Sequence, residues 1–75
     1  MASLGEFRVG IGFNPSGDPK VNVVKDRTAA LIDLAEAEKV SGETPGEVLR
    51  LLALAQTAYE EAAMWFVKAL TKPPR

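Results

Sequence analysis

The chain contains neither cysteine nor histidine. Without cysteine no disulfide can staple the fold, and the most readily activated nucleophile is missing. Without histidine the commonest general base near neutral pH is missing as well, and a zinc site would have to be built from carboxylates alone. The composition therefore points away from an enzyme and from a resident metal or cofactor. There is no excess of charge either: 9 basic against 10 acidic residues give a net charge of −1, which argues against a protein that coats duplex nucleic acid through phosphate attraction. No stretch approaches the roughly 20 apolar residues that cross a bilayer, and no basic segment with an apolar core and a small-residue cleavage site opens the chain. A soluble, intracellular protein without a membrane partner is expected, and the lack of cysteine fits a reducing compartment.

Length is the remaining scarcity. A chain of 75 residues buries only about 60% of the surface its unfolded form exposes. With disulfides and metals set aside, neighbouring subunits are the source of stability left open.

Residues 1–17 hold four of the six glycines together with Pro15. Within them Phe7, Val9, Ile11 and Phe13 alternate with Glu6, Arg8, Gly10 and Gly12, the period of two that marks an extended strand with one packed face. This pattern predicts an extended, glycine-rich N-terminal arm over 1–17. Asp18 followed by Pro19 is an N-cap and first-turn pair, and it predicts a helix over about 19–40. Val21, Val24, Leu31 and Ala35, with Thr28 in the gap, form its expected packed stripe, leaving Ile32 and Leu34 off it. Ser41-Gly42 supplies a stop. Thr44-Pro45-Gly46-Glu47 reads as a capping box opening a second helix over about 45–71, ended by Lys72-Pro73-Pro74. So short a connection makes the two helices antiparallel. The predicted fold is all-α, a two-helix hairpin over 18–75 preceded by the arm.

The second helix is apolar over too wide an arc. At about 100° per residue its large and small apolar residues, from Val48 and Leu51 to Phe66 and Leu70, cover roughly 160°, and Leu49 and Val67 widen this to about 200°. One partner helix fills only part of that arc. Three or four bulky side chains left wet would each forgo about 1.5–3 kcal/mol, a sum comparable with the stability of a small domain. Leu51, Leu52, Ala55 and Ala62 are assigned to the core, and the alanines that run along this helix let helices approach closely. A symmetric homo-oligomer follows.

Lys68, Thr71 and Lys72 fall within about one turn at the end of this helix, beside Trp65. The plain reading is that the lysines complement the helix dipole; the functional reading is that an oligomer gathers several such sets into an anion site. Glu60 and Glu61 are adjacent, so they point about 100° apart and cannot serve as an acid and base pair; they are read as solvated or as partners of a lysine one turn away. Gly10-Ile11-Gly12 does not open a helix directly, so a dinucleotide-binding glycine loop is rejected. Phe13-Asn14-Pro15, beside the start of a lysine-bearing helix, either presents a ring that stacks a base or plugs the hairpin.

The run Ala55-Gln56-Thr57-Ala58-Tyr59-Glu60-Glu61-Ala62-Ala63-Met64-Trp65-Phe66-Val67-Lys68-Ala69, closed by Lys72-Pro73, resembles the helical-hairpin domain shared by phage anti-CBASS cyclic-nucleotide sponges and part of the anti-Thoeris sponges. Asn14-Pro15-Ser16-Gly17 leading into Asp18-Pro19-Lys20-Val21, and Leu31-Ile32-Asp33-Leu34, resemble the N-terminal half of small phage members of that group. The resemblance implies a hexamer of hairpins in the cytoplasm of the infected bacterial host. It implies that cyclic dinucleotides, and in some members cyclic trinucleotides, are sequestered there without cleavage. It also implies a trinucleotide site near a threefold axis, which Lys68 with Thr71 or Lys72 matches, and a site between subunits, for which Phe13 with Lys25 or Arg27 are the equivalents. The competing readings are a phage structural or assembly protein whose hairpin docks on other helices, and, behind it, a nucleic-acid binder.

Overall fold

The computed structural model describes residues 2–74. Ser3 opens the first helix, α1 (Leu4–Val9): its Oγ accepts from the Glu6 N–H at 3.1 Å, while the Glu6 carboxylate accepts from the Ser3 N–H at 2.9 Å. Gly10, at φ 64°, ends it in the left-handed conformation. The extended arm expected over 1–17 is therefore corrected, and among the described residues there is no strand. A helix of six residues cannot hold itself together, because nucleation is too costly. Contacts with the next helix do so: the Gly5 N–H donates to Asp33 Oδ1 at 2.7 Å, and Gly5 lies so close to Ala29 that a Cβ there would sit 2.1 Å from the Ala29 carbonyl oxygen. Glycine at position 5 permits close helix packing rather than breaking a helix.

The second helix, α2 (Pro19–Lys39), begins as expected, with Asp18 accepting from the Lys20 N–H at 2.9 Å and proline in the first turn. Its buried face, however, runs through Val21, Lys25, Ala29, Ile32 and Ala35. Ile32 is fully buried, whereas Leu31 is 41% exposed, so the predicted stripe is rotated from the true one. The reason is Lys25: a lysine inside the buried face interrupts the apolar pattern that the eye follows.

Val40 and the turn at Ser41 and Gly42 reverse the chain into α3 (Gly46–Leu70). The capping box predicted at Thr44 and Glu47 does not form. The Thr44 hydroxyl donates instead to the Glu38 carbonyl at 3.3 Å, Glu47 pairs with Arg50, and Pro45 stands at the N-cap without a side-chain bond. Helices α2 and α3 are antiparallel: Val21 and Lys25 share a groove with Val67 and Thr71, while Gln56 meets Ile32 and Glu36 further along. Gln56 is the polar fastener of this pair, since it is 1% exposed and its Nε2 donates to the Ile32 carbonyl and to Glu36 Oε1, both at 3.1 Å.

The result is a slab of 50 × 27 × 12 Å, about one helix diameter thick. A single layer has no second layer to cover its faces. On α3 only Gln56 and Ala63 are buried, and Leu51, Leu54, Met64, Trp65 and Phe66 are 51–66% exposed. Of the four residues assigned to the core, Leu51 and Ala62 are exposed and Leu52 and Ala55 half-buried. The wide apolar arc is present, and one chain leaves it bare.

Candidate functional site

Charged and aromatic side chains gather where α1, the N-terminal half of α2 and the C-terminal half of α3 meet. Lys25 is the centre of this arrangement. It is 7% exposed, and its Nζ donates to the Gly10 carbonyl at 2.9 Å and to the Phe13 carbonyl. These bonds tie the turn after α1 onto α2, and they use two of the three donors of the ammonium group. The same nitrogen lies 5.5 Å from the centroid of the Phe13 ring, within cation–π range. The ring itself is 70% exposed, so Phe13 does not plug the hairpin within one chain; it stands at the surface with a cation beneath it.

Asn14 shapes the rest of the loop. Its Nδ2 donates to the Asp18 carbonyl at 2.9 Å and to Asn22 Oδ1 at 3.1 Å, and its Oδ1 accepts from the Ser16 hydroxyl at 2.6 Å. These bonds fasten the loop that carries Phe13 to the N-cap residue and first turn of α2. Phe13, Asn14, Lys25, Val67 and Thr71 line one groove of about 200 Å³.

A second groove of about 430 Å³ shares Lys25, Val67 and Thr71 with the first and adds Arg8, Glu60, Met64 and Lys68. Its volume lies in the range of small-ligand sites. Three cations, Arg8, Lys25 and Lys68, and one carboxylate, Glu60, face this space. Glu60 is held by Arg8, whose Nε donates to its Oε1 at 2.7 Å. The partner of Glu60 is thus an arginine on another helix rather than a lysine one turn away. On the outer side of α3, Lys68 Nζ lies 5.7 Å from the Trp65 ring centroid, and Trp65, Met64, Lys68 and Glu61 border a shallow recess.

The sequence-predicted residues thus divide. Phe13, Asn14, Lys25 and Thr71 come together, and Lys25 and Thr71 also meet Lys68, which carries Trp65 on its far side. Arg27 and Lys72 are exposed and line none of these grooves. Arg8 and Glu60 were missed as site residues. Arg8 belonged to the polar half of the supposed strand alternation, and only the helical form of residues 4–9 swings it against α3.

The arrangement sets cations beside an exposed aromatic ring, which suits an anion that carries a planar group. Among the described residues no group of three histidines, cysteines or carboxylates is placed to hold a metal ion, and no helix is long and apolar enough to cross a membrane. The family model described as the Acb2/Tad1 hairpin domain matches residues 5–71. No curated protein and no solved structure matches the chain.

Proposed function

The chain belongs to the family of the Acb2/Tad1 hairpin domain, and from that premise we propose that it is a phage sponge that binds cyclic di- or trinucleotides in the host cytoplasm and holds them intact. The observation that carries this reading is the sharing of Lys25 and Thr71 by two adjoining grooves, one bearing the exposed Phe13 ring and the other bearing Lys68. A cyclic oligonucleotide combines planar bases with phosphodiester anions. Phe13 over Lys25 suits a base next to a phosphate; Lys68 with Thr71 suits a second phosphate contact. The net charge of −1 provides no general attraction, so the anion is held by local cations in grooves.

Assembly completes the sites. The bare arc of α3 and the single-layer thickness favour packing against further copies, a closed hexamer in this reading, which brings the grooves of neighbours together. Lys25 rather than Arg27 is taken as the cation that accompanies Phe13. Thr71 rather than Lys72 is taken as the companion of Lys68.

Calorimetry with cyclic di-AMP, cyclic di-GMP, cyclic GMP-AMP and cyclic tri-AMP tests this, followed by heating and chromatography of the released nucleotide. Submicromolar binding to at least one, with the nucleotide recovered unchanged, is expected. No heat with any of the four would hand the chain to the alternative, a phage assembly or helix-docking protein; recovery of a linear product would make it an enzyme.

A further inference from the structure

The ion pair between Arg8 and Glu60 has the form of an anion-exchange device. Arg8 donates to Glu60 through Nε alone, and neither of its terminal nitrogens has a partner among the described residues. The guanidinium side chain is 22% exposed and the carboxylate 35% exposed, so the pair is neither sealed in a core nor free in solvent. It sits in the same groove as Lys25 and Lys68. A plain docking contact between α1 and α3 needs no such placement, and a lysine would serve it as well. A planar fork with two uncommitted amino groups, on a side chain that lines one groove with Lys25 and Lys68, is suited to something more: two parallel N–H bonds to a phosphate.

The geometry points to Arg8 as a further binding residue, which takes a phosphodiester of the ligand while Glu60 acts as its built-in competitor. This rests on the reading of the groove as a cyclic oligonucleotide site. In the empty groove Glu60 holds the fork in place and offsets one positive charge. When the ligand enters, its phosphate takes the two free amino groups, and repulsion from this like charge turns the Glu60 carboxylate from Nε to water, for which its exposure leaves room. The carboxylate therefore weakens binding, and an anion that reaches Arg8 alone is retained less than one that Lys25 or Lys68 holds as well. The ligand class selected is set by the second contact: a molecule with two phosphates, one giving the two free oxygens of a diester to the fork while the other reaches Lys25 or Lys68.

The test is a double-mutant cycle, measured by calorimetry on the full assembled chain with whichever of the four cyclic nucleotides above binds it most tightly. Glu60→Gln keeps the shape and an acceptor for Arg8 but removes the charge; affinity should rise about three- to tenfold, the scale of one charge removed at several ångströms in a partly wet site. Arg8→Gln should weaken binding at least about tenfold, and Arg8→Lys should recover only part of that loss, because a point charge cannot form the paired bonds. In Arg8→Gln the added Glu60→Gln change should bring a clearly smaller gain, that of through-space repulsion alone, since there is no fork left to release. Melting curves of each variant report folding separately: a merely structural pair would lower the melting temperature and never tighten binding. Unchanged or weaker affinity in Glu60→Gln, or a gain just as large without Arg8, overturns the exchange while leaving the sponge reading intact. Failure of the unaltered chain to bind any of the four overturns both.

Discussion

Replacing Lys25 by methionine probes the point at which fold and site are the same object. Methionine fills most of the space of the lysine stem and carries no charge, so the change removes the bonds to the Gly10 and Phe13 carbonyls while sparing the packing. A hydrogen bond to a charged group contributes about 1.5–3 kcal/mol. The two together set an upper bound, because the turn can open and let water reach both carbonyls. A loss of about 2–4 kcal/mol is expected, out of a total of roughly 4–11 kcal/mol for 75 residues. With about 1–2 kcal/mol per molar urea for so small a chain, the unfolding midpoint followed by Trp65 fluorescence should fall by about 1–3 M. Protein concentration must be held fixed, since association shifts apparent stability. Hydrogen exchange provides a second reading: the Phe13 amide, which donates to the Gly10 carbonyl at 2.9 Å, should lose its protection. An opposing effect exists, because a 7% exposed ammonium is costly to desolvate. If that cost dominated, Lys25→Met would leave the midpoint unchanged or raise it with the Phe13 amide still protected, and the claim that Lys25 builds the loop would be refuted.

Three further outcomes are expected. Gly5→Ala should destabilise α1 docking by about 1–3 kcal/mol, because the new methyl meets the Ala29 carbonyl oxygen at 2.1 Å; rapid exchange of residues 4–9 with little change in α3 is the signature, and full protection would contradict it. Gln56→Ala should cost about 2–4 kcal/mol in urea unfolding, since a 1% exposed side chain and its two bonds to α2 are lost; a change below about 0.5 kcal/mol would remove Gln56 as the fastener of the hairpin. Lys68→Glu should weaken cyclic tri-AMP binding at least about tenfold while the native mass of the assembly stays the same; retained affinity would take Lys68 out of the site.

Where the sequence carried local, chemically specific signals, the fold was legible. Asp18-Pro19 placed the start of α2 at the residue where it begins, and α3 at Gly46–Leu70 lies within a residue of its expected ends at both termini. Signals that depend on tertiary contact were not legible. Ser3 and Glu6 spelled a capping box, but the glycines around them favoured a strand-like reading until Gly5 is seen against Ala29 and Asp33. Lys25 concealed the buried face of α2 because a lysine is seldom fully buried, and only its two carbonyl partners explain why this one is. Of the residues that line the grooves, Phe13, Lys68 and Thr71 were picked out by residue type and position along the chain, and Lys25, with Arg27 as its alternative, by the resemblance. Arg8 and Glu60 could not, for their pairing spans 52 residues of sequence and depends on α1 being a helix.

The proposed function rests on one feature of the fold: a layer one helix thick leaves Leu51, Leu54, Met64, Trp65 and Phe66 exposed, and in the proposed assembly copies of the chain cover them. Sedimentation equilibrium at low micromolar concentration addresses this directly. A single closed species near six times the 8.0 kDa chain mass is the predicted result. A well-folded 8.0 kDa particle with no tendency to associate would contradict it.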